Sequence, residues 1–127
     1  MFAAERNPCV SHDFLRALED TGCVGPGTGW HPLHQVALDT QGRIVAAAPV
    51  YEKTHSRGEF VFDWAWADAL ERVGEAYYPK RVCCVPYTPV PGPRVAGSPA
   101  GVACVLAELA RQCDQGAASS THILFPD

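Results

Sequence analysis

A chain of 127 residues with 47% apolar and 19% charged residues has a globular composition and room for one core, which excludes a disordered linker. Its net charge of −4, with no Lys/Arg run longer than Lys80-Arg81, argues against a surface that grips a nucleic-acid backbone. No basic-then-apolar leader opens the sequence, and no apolar run approaches the roughly 18 residues of a membrane helix. A cytoplasmic protein with no membrane insertion is therefore expected.

In chain order, Ser11 is an N-cap and Asp13 an anion in the first turn of a helix over Ser11–Thr21, stopped by Gly22. Gly25-Pro26-Gly27-Thr28-Gly29 follows a helix, precedes a strand and lacks the Lys-Ser/Thr of a phosphate loop, so it reads as a flexible connector. Leu33–Leu38 and Arg43–Lys53 flank Asp39-Thr40-Gln41-Gly42 as a hairpin, with Pro49 forcing a bulge, edge or break in the second strand. Glu59–Phe62 reads as a short strand. It runs into a helix over Trp64–Arg72 that carries Trp66, Leu70 and Val73 at i, i+4, i+7, with Asp63 as its cap. Arg81–Val85 is a buried strand and Tyr87–Arg94 a proline loop. Ser98-Pro99 opens a helix with Val102, Val105, Leu106, Leu109 and Ala110 on one face, and Thr121–Phe125 is a final strand. The order α-β-β-β-α-β-α-β predicts an α/β (α+β) architecture, a mixed sheet flanked by helices. The apolar last strand is expected to be uncovered, which suggests a truncated sheet that self-associates through it.

Six cysteines without a C-x-x-C, two of them adjacent at Cys83-Cys84 and one on the apolar face at Cys104, read as buried reduced thiols. Cys9-x-x-His12 and His31-x-x-His34 have spacings a zinc site allows, but a helix lies between them and ordinary surface or cap histidines are the better reading. No metal site is expected. Seven of the twelve aromatics fall between Gly58 and Arg94, namely Phe60, Phe62, Trp64, Trp66, Tyr77, Tyr78 and Tyr87, together with Glu59, Asp63, Lys80 and Arg94. Aromatic walls with fixed charges suit a pocket for a polar or cationic ligand, although composition alone favours plain core.

The stretches Tyr51-x-Lys53-x-His55-Ser56-x-Gly58-Glu59-Phe60-Val61-Phe62-Asp63-Trp64, Tyr77-Tyr78-Pro79-Lys80 and Val85-Pro86-Tyr87-Thr88-Pro89-Val90-x-Gly92-Pro93-Arg94 resemble the FemAB-like branch of the GNAT superfamily. So do Asn7-Pro8, Ser11-His12-x-Phe14-Leu15, Gly25–Trp30 and Ser120-Thr121-His122-x-Leu124-Phe125-Pro126. The resemblance spans nearly the whole chain. It implies a bacterial N-acyltransferase linked to peptidoglycan biosynthesis, with residues 1–127 a single GNAT-like unit, the N-terminal part of a longer protein. The donor implied is acyl-CoA or an aminoacyl-tRNA, and the acceptor a small-molecule or cell-wall-precursor amine. The chain has no Arg/Gln-x-x-Gly-x-Gly/Ala turn for a CoA pyrophosphate, so no cofactor is expected within it and the enzyme is expected to be incomplete. On this resemblance Glu59 and Asp63 recognise or deprotonate the amine, and Trp64 and Tyr78 form walls. Lys53, Lys80 and Arg94 bind a carboxylate or phosphate, and Thr88 orients the acceptor. A non-catalytic binding module of the same fold is the alternative.

Overall fold

A computed structural model describes residues 7–127. A 3-10 turn at Pro8–Val10 leads into helix α1, His12–Asp20, where the Ser11 hydroxyl accepts the Phe14 N–H at 3.3 Å and Gly22 leaves the helix at φ 71°. Four strands follow: β1 Trp30–Pro32, β2 Gln35–Leu38, β3 Ile44–Ala48 and β4 Val50–Lys53. Helix α2, Trp64–Arg72, precedes β5, Lys80–Cys83. The short β6, Ala96–Gly97, precedes α3, Pro99–Asp114, and the last strand, β7, is Thr121–Ile123. Mixed α and β structure is thus present as expected, but it is divided between two sheets. One has the order β1-β4-β5-β7, antiparallel except for the parallel β5–β7 pair; the other is the antiparallel β2-β3-β6.

Pro49 is where the sheets part. Lacking an N–H, it cannot continue a ladder. The predicted single strand Arg43–Lys53 therefore breaks into β3, which serves the small sheet, and β4, which serves the larger one. The face of the small sheet under α3 is built of Ala37, Ala46 and Ala48, packed with Val50 and Cys83 against Val105 and Leu109 of the helix. Alanines on the sheet and Gly101 on the helix bring the two backbones close; a Cβ on Gly101 would lie 2.8 Å from the Ala46 methyl. The buried stripe of α3 is narrower than expected. Leu106 and Ala110 face outward, as does Cys104, one residue and so about 100° off the Val105 line. The buried-thiol expectation holds for Cys83 and Cys84 and fails for Cys104 and Cys23, which are exposed.

A second core joins Val24, Trp30, Tyr51, Val82, Cys84 and Leu124, and a third joins Val10, Leu15 and Val85 under α1. The Gly25–Gly29 loop is pinned, not merely a connector. Gly25 N–H donates to the Trp30 carbonyl at 2.7 Å, and the Thr28 hydroxyl donates to the Gly25 carbonyl at 2.8 Å. Beyond β7, Leu124 and Phe125 are tied to the proline loop. Arg94 Nε donates to the Leu124 carbonyl at 2.8 Å and Gly92 N–H to the Phe125 carbonyl at 3.1 Å. Among the described residues no helix is long and apolar enough to cross a membrane.

Candidate functional site

The site follows from the register of the larger sheet. In the antiparallel β4–β5 pair, Lys53 lies directly opposite Lys80, and in β1–β4 it lies opposite Trp30. Both lysines are fully buried. Like charges placed opposite each other on one sheet face repel, and a lone buried ammonium carries a desolvation penalty of several kcal/mol. The segment between β4 and α2 answers both problems by turning its acids inward. Glu59 and Asp63 are 2% and 9% exposed, whereas Phe60, Phe62 and Trp64 are 54%, 83% and 55% exposed. The expected strand Glu59–Phe62 does not form, since Phe60 sits at φ 59°. Alternation at these positions instead separates buried carboxylates from exposed rings.

Two lysines and two carboxylates thus form an electroneutral quartet. Lys80 Nζ donates to Glu59 Oε2 at 2.7 Å and also to Asp63 Oδ2, while the Tyr77 hydroxyl donates to the same Asp63 oxygen at 2.6 Å. Lys53 Nζ lies 3.9 Å from Glu59 Oε1 and 3.5 Å from the Trp30 ring centroid, with bonds to the Arg57 carbonyl at 3.1 Å and His55 Nδ1 at 3.3 Å. His55 Nε2 in turn meets the Thr28 carbonyl at 2.9 Å, and Gly29, at φ 74°, makes room for that ring, since a Cβ there would overlap Nε2. Asp63 occupies the N-cap position of α2 but makes no side-chain cap bond. Its expected role as a cap is given up for Lys80 and Tyr77.

Protonation follows burial and partners. Burial pushes Asp63 up, but the bonds from Lys80 and Tyr77 outweigh it and hold the carboxyl down at about 2. For Glu59 burial is the larger effect, and its carboxyl is raised despite Lys80. Burial lowers Lys53 to about 8, against the pull of Glu59. Tyr77 is raised by burial and by donating to Asp63. Glu59 Oε1 and Asp63 Oδ1 have no hydrogen-bond partner among the described residues.

Tyr78 stands beside the quartet, its hydroxyl 2.7 Å from Ser56 Oγ and its ring 5.0 Å from that of Tyr77. These two tyrosines form one wall of a 460 Å³ cleft whose other wall, on and after α2, presents Glu71 and Glu75. Of the residues singled out from sequence, Glu59, Asp63, Lys53, Lys80 and Tyr78 come together here. Three others do not. Trp64 is exposed against Phe62 at 5.9 Å, and the Thr88 hydroxyl donates to the Pro86 carbonyl at 3.0 Å. Arg94 is buried among the Val90, Gly92 and Leu124 carbonyls at 2.5, 3.1 and 2.8 Å. Trp30, Ser56 and His55 belong to the site and were not anticipated as site residues, and Tyr77 was anticipated only as one of the aromatics. Trp30 enters through strand register and the other three through side-chain bonds made from loops, neither of which a single sequence displays.

The histidines weighed for zinc lie apart in function. His34 Nε2 meets Glu19 at 2.9 Å and His12 Nδ1 meets Asp13 at 3.5 Å. Among the described residues no three His, Cys, Asp or Glu side chains gather as a metal site. No curated protein and no solved structure matches the chain. The family model described as peptidoglycan biosynthesis/recognition matches residues 1–127 of the sequence. With its motifs folded around the buried quartet, the chain belongs to the FemAB-like family and has a role in peptidoglycan biosynthesis or recognition.

Proposed function

We propose that this chain forms the acceptor side of an N-acyltransferase site that moves an acyl or aminoacyl group, from acyl-CoA or aminoacyl-tRNA, onto an amine of a bacterial cell-wall precursor in the cytoplasm. The observation that carries the reading is the buried quartet, whose Asp63 accepts from Tyr77, a residue that also lines a cleft together with Glu71 and Glu75. Buried ionisable groups whose pKa values are pushed apart are a mark of chemistry, because folding alone is better served by apolar residues. Glu59, whose carboxyl burial raises above the usual carboxylate value, suits the base that takes the amine proton. Asp63, held near 2, is too weak a base and instead fixes Lys80 and Tyr77. Lys53 and Lys80 supply the positive charge and Tyr78 the wall. The geometry lends its support to these five; Trp64, Thr88 and Arg94 make structural contacts instead.

One observation favours the alternative, a binding module without turnover: the quartet's side chains are sealed from solvent, with only Asp63 showing 12% of its surface. Calorimetric titration with an amine-bearing peptidoglycan peptide separates the two readings when paired with a transfer assay. Binding with transfer supports the enzyme, and binding without transfer from either donor supports the module. No binding by the wild type, or equal binding by Glu71→Gln/Glu75→Gln, contradicts both. Self-association through β7 belongs to the same proposal, since among the described residues β7 pairs with β5 alone. Light scattering that finds a monomer at all concentrations contradicts it.

A further inference from the structure

The Ser120-Thr121-His122 stretch takes no part in the reading above, yet it holds a nucleophile and a base in contact. Leading into and along β7, residues 120 and 122 share one face of the sheet, because strand side chains alternate. Ser120 Oγ lies 2.8 Å from His122 Nε2, within the distance a serine nucleophile and its base require. Neither side chain is sealed; both are half-buried. The neighbouring Ser119 hydroxyl is committed to the Tyr77 carbonyl, which leaves Ser120 as the alcohol serving the imidazole. The His122 ring stands edge-on to Tyr77 with centroids 6.3 Å apart, which fixes its orientation. The charged groups facing it are Lys80 on β5 and Asp63 ahead of α2; burial first, then Lys80, keeps the imidazole neutral and able to accept a proton.

We propose that Ser120 and His122 form a nucleophile–base dyad that accepts the acyl group of an activated ester or thioester on Ser120 Oγ. With the imidazole proton on Nδ1, His122 Nε2 takes the hydroxyl proton as Oγ bonds to the acyl carbonyl carbon. The carbon–oxygen or carbon–sulfur bond to the leaving group then breaks, and that alcohol or thiol leaves with the proton from Nε2. Water or an amine releases the acyl-serine by the same steps in reverse, so no oxidant, reductant or metal is needed. The dyad needs no amine, so it stands or falls apart from the acceptor-side reading.

The chain's two lysines, Lys53 and Lys80, are both buried, which limits acetylation of side-chain amines. The experiment treats a Cys23→Ser/Cys104→Ser protein with p-nitrophenyl acetate in amine-free buffer, then maps the acetyl group by peptide mass spectrometry. Labelling of Ser120 is expected, absent in Ser120→Ala, retained on the thiol of Ser120→Cys, and slower by at least about 100-fold in His122→Gln. Its rate should rise with pH through a midpoint below 6.5, as the neutral imidazole forms. Absence of Ser120 acetylation, a Ser120 label that forms equally fast in His122→Gln, or one with a flat pH profile, overturns the dyad.

Discussion

Lys53 and Lys80 face each other across two strands, beside the carboxylates of one segment, and should nevertheless respond unequally to the same substitution. Lys80 bonds to both Glu59 and Asp63, so Lys80→Met strands two buried anions and should destabilise by about 3–5 kcal/mol. Lys53 is only 3.9 Å from Glu59, and burial already depresses its pKa to about 8. Lys53→Met should therefore stay within about 1 kcal/mol of the wild type, since an apolar residue removes the desolvation penalty along with the charge. Urea denaturation of the two variants checks both, and equal losses would contradict the assignment. Asp63 gives the pH counterpart. Its native pKa lies below the unfolded value of 3.8, near 2, so the unfolded chain binds more protons between those values. The stability it contributes, about 2 kcal/mol, is complete above about pH 4 and is lost as pH falls to 2. Glu59 is raised and works in the opposite sense, which is why Asp63→Asn is the variant to compare; its acid limb should be flatter than that of the wild type.

Elements were legible where local signals decide them. Ser11, Ser98-Pro99 and Gly22 place α1 and α3 to within a residue or two of their observed ends, because caps act locally. Pro49 marks the strand break, but the sequence does not reveal that the two pieces enter different sheets. Helix α2 shows the limit of periodicity. Its bounds, Trp64–Arg72, match expectation, yet the Trp66 and Val73 stripe faces solvent and the helix buries no residue. An i, i+4, i+7 pattern identifies a helix and not the surface that covers it. Trp66→Ser should consequently change stability by no more than about 0.5 kcal/mol, while Leu109→Ala in α3 should cost about 2–5 kcal/mol. Hydrogen exchange should find α2 amides much less protected than those of α3, and equal protection would contradict the packing described. The pinned loop makes a matching prediction. Gly29→Ala combines a positive φ with overlap on the His55 ring, and should lose more than about 1 kcal/mol in thermal denaturation.

For the molecule as a whole, the sequence indicated the right neighbourhood and inverted its interior. The density of aromatics from Gly58 to Arg94 suggested rings lining a pocket, but Phe60, Phe62 and Trp64 point outward and Glu59 and Asp63 point in. The reason is non-local: β4 and β5 place two lysines opposite each other, and no window of one sequence reveals which residues become opposite. Arg94 escaped for a similar reason, since its carbonyl partners span Val90 to Leu124. The central claim is that this interior serves acyl transfer to an amine. Its most direct test is a mass-spectrometric assay of an amine-bearing peptidoglycan peptide, supplied with acyl-CoA or aminoacyl-tRNA, using the wild type, Glu59→Gln and Asp63→Asn. The account predicts product with one donor, turnover reduced about 100-fold or more in Glu59→Gln, and a smaller loss in Asp63→Asn. Unchanged turnover in both variants, or no product from either donor, would contradict it.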